Sequence, residues 1–347
     1  MDFQIVSTAI GSLPHKNAGH ACEMIFQIFN ETPFWPQLPR RDFREGMYIQ
    51  YAESLPGAVI DAVKQRLYFS MNGSFFSDKE RFMNALMEDD LDAFAMSETV
   101  AAGFYEFMRI LQNNTPKPPA VKGQITGPIS LGLTVTDENK RSILYNPEFE
   151  EVITNGLIMK ARWQARKLAE LAPEVIIFID EPYLASFGSA FIALERDQVV
   201  QTISLISDAI KSEGAVSGAH CCGNTDWTLL MEAGVDIINF DAVSYFASMT
   251  LYPEKLAAFL QKGGRLAWGI VPNSQGVRNE NVAMVAKRFC DGIDVLESKG
   301  IPRKDLLRSV YITPCCGAGS MSEADAEKMI RLAAEAVDEI KNNLNRT

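Results

Sequence analysis

The sequence predicts a (β/α)8 barrel of the TIM type, and three observations lead there. Eight short β-rich runs recur along the chain, helical patterns fill most of the intervals, and reactive side chains gather near the C-terminal ends of the runs. Strands that alternate with helices build parallel sheets. In a barrel their C-terminal ends meet at one mouth, where active sites form. An open doubly wound sheet is the competing arrangement. It is disfavoured because no Gly-rich phosphate loop follows the first strand.

In chain order the runs are "QIVSTAIGS" (4–12), "DAFAMS" (92–97), "AVKGQITGP" (120–128), "VIIFIDEP" (175–182), "AVSGAHCCG" (215–223), "DIINFDA" (236–242), "RLAWGIVP" (265–272) and "SVYITPCCG" (309–317). Several are nearly continuous apolar runs, as strands buried on both faces should be. Between them lie helical stretches such as "NPEFEEVITNGLIMKARWQARKLAEL" and "RDQVVQTISLISDAIKSEG". The last helix opens with a capping pattern, Ser322 to Asp325, followed by an apolar stripe of Met329, Leu332, Ala333, Ala336, Val337 and Ile340. The interval from 13 to 91 is too long for one helix. It holds "PFWPQLPRRDFREG" and a hairpin-like stretch, "AVIDAVKQRLYFSMNGS", and reads as an elaboration, or lid, over the barrel mouth within a single domain spanning 1–347.

Composition narrows the function. The chain has 347 residues, 47% of them hydrophobic, with a net charge of −11. An acidic surface argues against nucleic acid or an anionic membrane as partner. No run approaches the roughly 18 apolar residues of a membrane span. The N-terminus lacks a basic segment followed by an apolar one, so no signal peptide is expected. Six cysteines without a leader suggest reduced thiols in a cytoplasm.

Ser12, Thr126, Asp180, Glu181, His220, Cys222, Asp241, Asn273, Cys315 and Cys316 all fall near predicted strand ends. In a strand, residues two apart share a face. His220 and Cys222 therefore point together and Cys221 points away. His-x-Cys offers one nitrogen and one sulfur to an ion, Asp241 ends the next strand and can add an oxygen, and Cys315 or Cys316 can add a second sulfur. That donor set suits tetrahedral zinc, and ligands drawn from separate strands suit an open catalytic site. His15 and His20 read as ordinary surface or lid residues.

"TAIGSLP" (8–14), "IDEP" (179–182), "HCCGNT" (220–225) with "INFD" (238–241), and "TPCCG" (313–317) occur in that order. Together they resemble the barrel domain shared by cobalamin-independent methionine synthase and the zinc-dependent methylcobamide:coenzyme M methyltransferases, a superfamily that includes uroporphyrinogen decarboxylase. The resemblance runs over nearly the whole chain. It implies zinc held by His220, Cys222 and Cys316, the last preferred over Cys315 because it precedes Gly317. Asp241 stands where methionine synthase has a glutamate ligand. The zinc would hold a small thiol substrate, homocysteine or coenzyme M, as thiolate for attack on a methyl donor. Ile10, Gly11 and Ser12 match the stretch that binds the amino-acid part of homocysteine, Asp180 matches the residue that holds its ammonium group, and Glu53 is a further acidic contact.

The departures bear on the donor. The second barrel of methionine synthase has no room here. The Trp expected after Gly127-Pro128 is replaced by "ISLGLTV", and "GIVPNSQG" lacks the family's proton-donating His. These differences, with "HCCGNT", point to a methyl-corrinoid donor, with a corrinoid protein as the partner that carries it, ahead of a folate. Two other functions compete: a metal-free decarboxylase of the uroporphyrinogen type, and a non-catalytic zinc-binding subunit that docks a corrinoid protein.

Overall fold

The computed structural model describes residues 4–189 and 192–346. Its strands are β1 (Gln4–Ser7), β2 (Ala58–Asp61), β3 (Arg66–Phe69), β4 (Ala120–Thr126), β5 (Glu174–Asp180), β6 (Val216–Cys221), β7 (Ile237–Asp241), β8 (Arg265–Val271) and β9 (Ser309–Pro314). Seven of them form one curled parallel sheet in the order β1-β9-β8-β7-β6-β5-β4. The order follows the chain without reversal, so there is no switch point of the doubly wound kind. β2 and β3 pair as the antiparallel hairpin expected in the 13–91 interval.

The expected strand at 92–97 does not form. Leu91–Phe94 is a turn of 3-10 helix, capped by the Asp90 carboxylate on the Ala93 amide. The gap between β1 and β4 is instead reached by the extended segment 31–37. On one side it meets β4, through Lys122 N–H to Pro33 O at 2.9 Å and Trp35 N–H to Lys122 O at 3.1 Å. On the other it meets the continuation of β1, through Gln37 N–H to Gly11 O at 3.1 Å and Leu13 N–H to Gln37 O at 2.9 Å. Pro33 and Pro36 have no amide hydrogen to give, so this segment makes isolated bridges rather than a ladder.

Alternation along each strand separates two cores. Outward residues such as Ile177, Ile179, Cys221, Phe240 and Trp268 pack under the surrounding helices. Inward residues Val6, Ala120, Ile176, Phe178, Ile237, Ala267 and Tyr311 form a smaller cluster of their own. This apolar filling occupies the lower, N-terminal part of the interior, where Gly218 makes room for the Phe178 ring: a Cβ there would lie 2.3 Å from it. Above it the same inward face carries Thr8, Lys122, Gln124, Thr126, Asp180, His220, Asn239 and Thr313, all buried or nearly so.

The helices obey local rules. Pro147–Ala169 starts with Asn146 accepting from the Glu148 amide, has Pro147 at its first position and ends with Arg166 and Lys167. At the last helix, Ser322 Oγ accepts from the Asp325 amide at 3.2 Å, and the predicted apolar stripe is buried. His15 departs from expectation: it is buried at 2% exposure, whereas His20 is exposed. Among the described residues no helix is long and apolar enough to cross a membrane.

The proline-broken segment depends on a glycine in the neighbouring helix Ala102–Asn113. A Cβ on Gly103 would lie 1.8 Å from Pro36 O. Gly103→Ala is expected to destabilise the fold by about 1–3 kcal/mol, the usual cost of overpacking. Urea denaturation reads it, and an unchanged midpoint would show that the segment shifts freely.

Candidate metal centre

His220 is the last inward-facing residue of β6, and Cys222 follows two residues later, just past the strand end. Cys316 arrives from the turn after β9. One ring nitrogen of His220 and the Sγ atoms of Cys222 and Cys316 all lie within 4.8 Å of one another. Ligands at 2.0–2.3 Å around a tetrahedral zinc would stand about 3.3–3.8 Å apart, so a modest contraction accommodates the ion. Cys221 is turned outward and fully buried, packed in the outer core, where burial pushes its thiol up to about 12.

Asn239, a residue to which the sequence reading gave no role, decides which histidine nitrogen is available. It is the register partner of His220 on β7. Its amide Nδ2 donates to Ala267 O at 3.0 Å and to Thr313 Oγ1 at 2.8 Å. Both donors are thereby used, so its Oδ1 must be the atom that meets His220 Nδ1. That contact puts the ring proton on Nδ1 and leaves Nε2 with its lone pair free. Nε2 is buried and has no hydrogen-bond partner. A buried imidazole nitrogen without a partner, oriented through its other nitrogen and set beside two sulfurs, is what a metal-binding histidine requires. The residues fit zinc.

The three groups polarise one another. The Cys316 thiol, and after it the His220 imidazole, pull Cys222 down to about 4. In return Cys222, and after it burial, pushes the Cys316 thiol well above its ordinary value. Burial works to lower His220, yet Cys222 and the charge of Asp180 hold it above its ordinary value. Of the two thiols, Cys222 is the one its neighbours favour as thiolate.

Asp241 is not in this close group. Its Oδ1 accepts from the amides of Val243 and Ser244, both at 2.8 Å, and closes the turn after β7. Its other neighbour is Cys315, whose Sγ donates to Gly269 O at 3.2 Å and whose thiol is pushed far up by burial and then by Asp241. The strand has ended at Pro314 by this point, so alternation no longer separates the two cysteines. The structure sends Cys315 toward Asp241 and Cys316 toward Cys222.

Asp180 pairs in register with His220 on one side and Thr126 on the other. The residue is partly exposed, but its Oδ1 is buried and unpartnered. Burial raises its carboxyl to about 6, against the opposing pull of His220 and Lys122. Glu181 has a different job. Its carboxylate accepts from the amides of Ile129 (3.0 Å) and Ser130 (2.8 Å) and from Ser130 Oγ (2.6 Å), capping the helix Pro128–Thr134. Gly127 is required there, because a Cβ would stand 2.0 Å from that carboxylate. Glu53 is engaged elsewhere, both its oxygens being bonded to Ser97, at 2.8 Å to N–H and 2.6 Å to Oγ.

The stretch Ile10–Ser12 adjoins Cys316. Ala318 N–H donates to Ser12 O at 2.8 Å, and a Cβ on Gly317 would lie 2.1 Å from Ser12 Oγ. Tyr48, from the 13–91 interval, is half-buried near the site, and burial pushes its phenol up to about 12.

With this geometry in hand, one comparison is informative. The sequence is similar to that of a methionine synthase. The relative, from Methanocaldococcus jannaschii, is 23% identical over 303 residues, covering 85% of this chain and 91% of its own. No family model matches. Two solved structures resemble the fold at low scores. A GH5_18 structure from Streptomyces cattleya in complex with GlcNAc has a TM-score of 0.45 at 9% identity, over 98% of this chain and 81% of its own. A β-glycosidase from Thermosphaera aggregans has 0.44 at 8% identity, over 98% of both chains.

Two predictions follow from the site. Under reducing conditions Cys222→Ser should lose zinc while Cys221→Ser keeps it, as read by metal analysis; equal loss would contradict the outward placement of Cys221. Asn239→Leu should keep the fold but weaken zinc binding about 10–100-fold, the usual cost of removing a ligand's orienting partner. Competition with a chelator measures it, and unchanged affinity would show that His220 needs no orienting partner.

Proposed function

We propose that this protein is a zinc-dependent methyltransferase that methylates a small thiol such as homocysteine or coenzyme M, with a methyl-corrinoid, presented by a corrinoid protein, as donor. The observation that carries the reading is the grouping of His220, Cys222 and Cys316 beside the unpartnered Asp180 carboxylate at the C-terminal end of the strands. The similarity to a methionine synthase supports the same reaction class, and that relative is spanned over 91% of its length, so it too is about the length of this chain.

Zinc held by the three residues would supply Lewis acidity, converting a bound thiol, ordinarily near pKa 8.5, to its thiolate at neutral pH. The chain's own side chains do the rest. Asn239 keeps His220 in the ligating tautomer. Asp180 presents a free carboxylate oxygen to a substrate ammonium group. The Ile10–Ser12 stretch receives the other end of an amino-acid substrate next to Cys316. The 13–91 segment, read as the elaboration over the mouth, brings Tyr48 toward Cys222 and narrows access for water.

With a methyl-corrinoid donor, the thiolate would take the methyl while the Co–C electron pair goes to the departing corrinoid, which needs no proton, so the missing His after β8 would cost nothing. A folate amine would need that proton, and its pterin would lose an aromatic platform worth about 1 kcal/mol. The decarboxylase alternative is weakened by the three arginines of "FWPQLPRRDFREG". Arg40 donates to Ser320 O, Arg41 pairs with Glu45 and Arg44 with Asp42, so each already has a partner within the protein.

Anaerobic thiol-dependent demethylation of methylcobalamin, followed by absorbance, tests the reading; methyltetrahydrofolate is expected to give little or no turnover. Faster turnover with folate would overturn the donor assignment. Zinc binding without turnover of any thiol would favour the accessory subunit. Asp180→Asn should raise KM for homocysteine about tenfold or more by removing the charge opposite the ammonium.

A further inference from the structure

Lys122 is fully buried inside the barrel, and nothing above assigns it a role. Its Nζ lies 2.6 Å from Ile10 O and 4.4 Å from the centre of the Phe178 ring. The nearby charge that stabilises its ammonium is Asp180, against a burial that pulls it down to about 8. An ammonium in such a place is expensive unless its contacts are used, and a neutral residue would fill the same space more cheaply.

The use is visible in the turn that Lys122 holds. The three successive carbonyls of this turn are all taken: Ile10 O by Lys122 Nζ at 2.6 Å, Gly11 O by Gln37 N–H at 3.1 Å and Ser12 O by Ala318 N–H at 2.8 Å. Gly11 has φ +149°, and a Cβ on it would stand 2.7 Å from the Gln124 side chain, so the turn is pressed against β4 in a conformation that suits glycine. Among the described residues, the amides of Ile10, Gly11 and Ser12 have no protein acceptor. A run of backbone N–H groups whose carbonyls are tied elsewhere is a receptor for an anionic oxygen.

We propose that Lys122 is a positioning residue, fixing the Ile10–Ser12 turn so that its amides receive the carboxylate of the thiol substrate. This rests on the function proposed above for the substrate class. Lys122 and Asp180 then form a matched pair below the substrate, Asp180 meeting its ammonium group and Lys122 acting on its carboxylate through the backbone. A thiol without a carboxylate should be indifferent to Lys122.

The test compares binding of L-homocysteine and of 2-mercaptoethanol to the zinc-loaded protein by calorimetry, with methyl transfer measured separately. In Lys122→Met, homocysteine should bind about tenfold or more weakly, 2-mercaptoethanol should bind as in the parent protein, and zinc content should stay unchanged. Should Lys122→Met not fold, Lys122→Gln makes the same comparison. It keeps an N–H for Ile10 O, so its loss should be smaller and equally confined to homocysteine. Equal weakening for both thiols, zinc loss, or no effect would overturn the proposal, as would a parent protein that does not bind homocysteine. Selective loss of homocysteine binding in a protein that transfers no methyl group would sustain the role of Lys122 and sink the methyltransferase reading alone.

Discussion

The structure turns on one constraint: polar groups buried inside the curled sheet cannot reach water, so each must find a partner in the protein or be reserved for a ligand. The lower interior meets it by being apolar, with Phe178 lying across Gly218. The upper interior meets it by a chain of contacts that begins at Asn239. Ala267 O and Thr313 Oγ1 use up the Asn239 amide hydrogens, Asn239 Oδ1 fixes the histidine proton, and the fixed proton leaves Nε2 open beside Cys222 and Cys316. Replacing any link would leave a buried donor or acceptor unpaired, which is costlier than the bond itself.

The same rule separates residues of like chemistry by role. Asp180 and Glu181 are adjacent, yet one has an unpartnered oxygen and the other accepts three hydrogen bonds as the cap of the Pro128–Thr134 helix. Cys315 and Cys316 are adjacent, yet one is spent on Gly269 O and Asp241 while the other joins the metal group. In the first pair the residue with the unsatisfied oxygen is the one available for chemistry, and in the second it is the one whose sulfur lies beside Cys222 and His220.

Much of this could be read in the sequence wherever a regular period applied. Two-residue alternation along "AHCCG" separates Cys221 from His220 and Cys222, and near-continuous apolar runs mark strands buried on both faces. Legibility failed where the period stops. Segment 31–37 bridges both sheet edges, but Pro33 and Pro36 disguise it as loop, while the apolar residues of 92–97 imitate a strand and form a helical turn instead. Beyond Pro314 no alternation remains to sort the cysteines. Asn239 looks like an ordinary polar residue in an apolar strand, and only its register against His220 reveals its function. Asp241 sits at the expected strand end, but the turn that follows claims its carboxylate.

Cobalt(II) substitution tests the central claim most directly, because the colour of the ion reports its ligands without requiring turnover. One equivalent of cobalt should give tetrahedral absorption bands and sulfur-to-cobalt charge transfer from two thiolates. Cys222→Ser should reduce the charge transfer and Cys221→Ser should leave it intact, and added homocysteine should increase it by contributing a further sulfur. An octahedral spectrum without sulfur charge transfer, or one that does not respond to any thiol, would contradict the account.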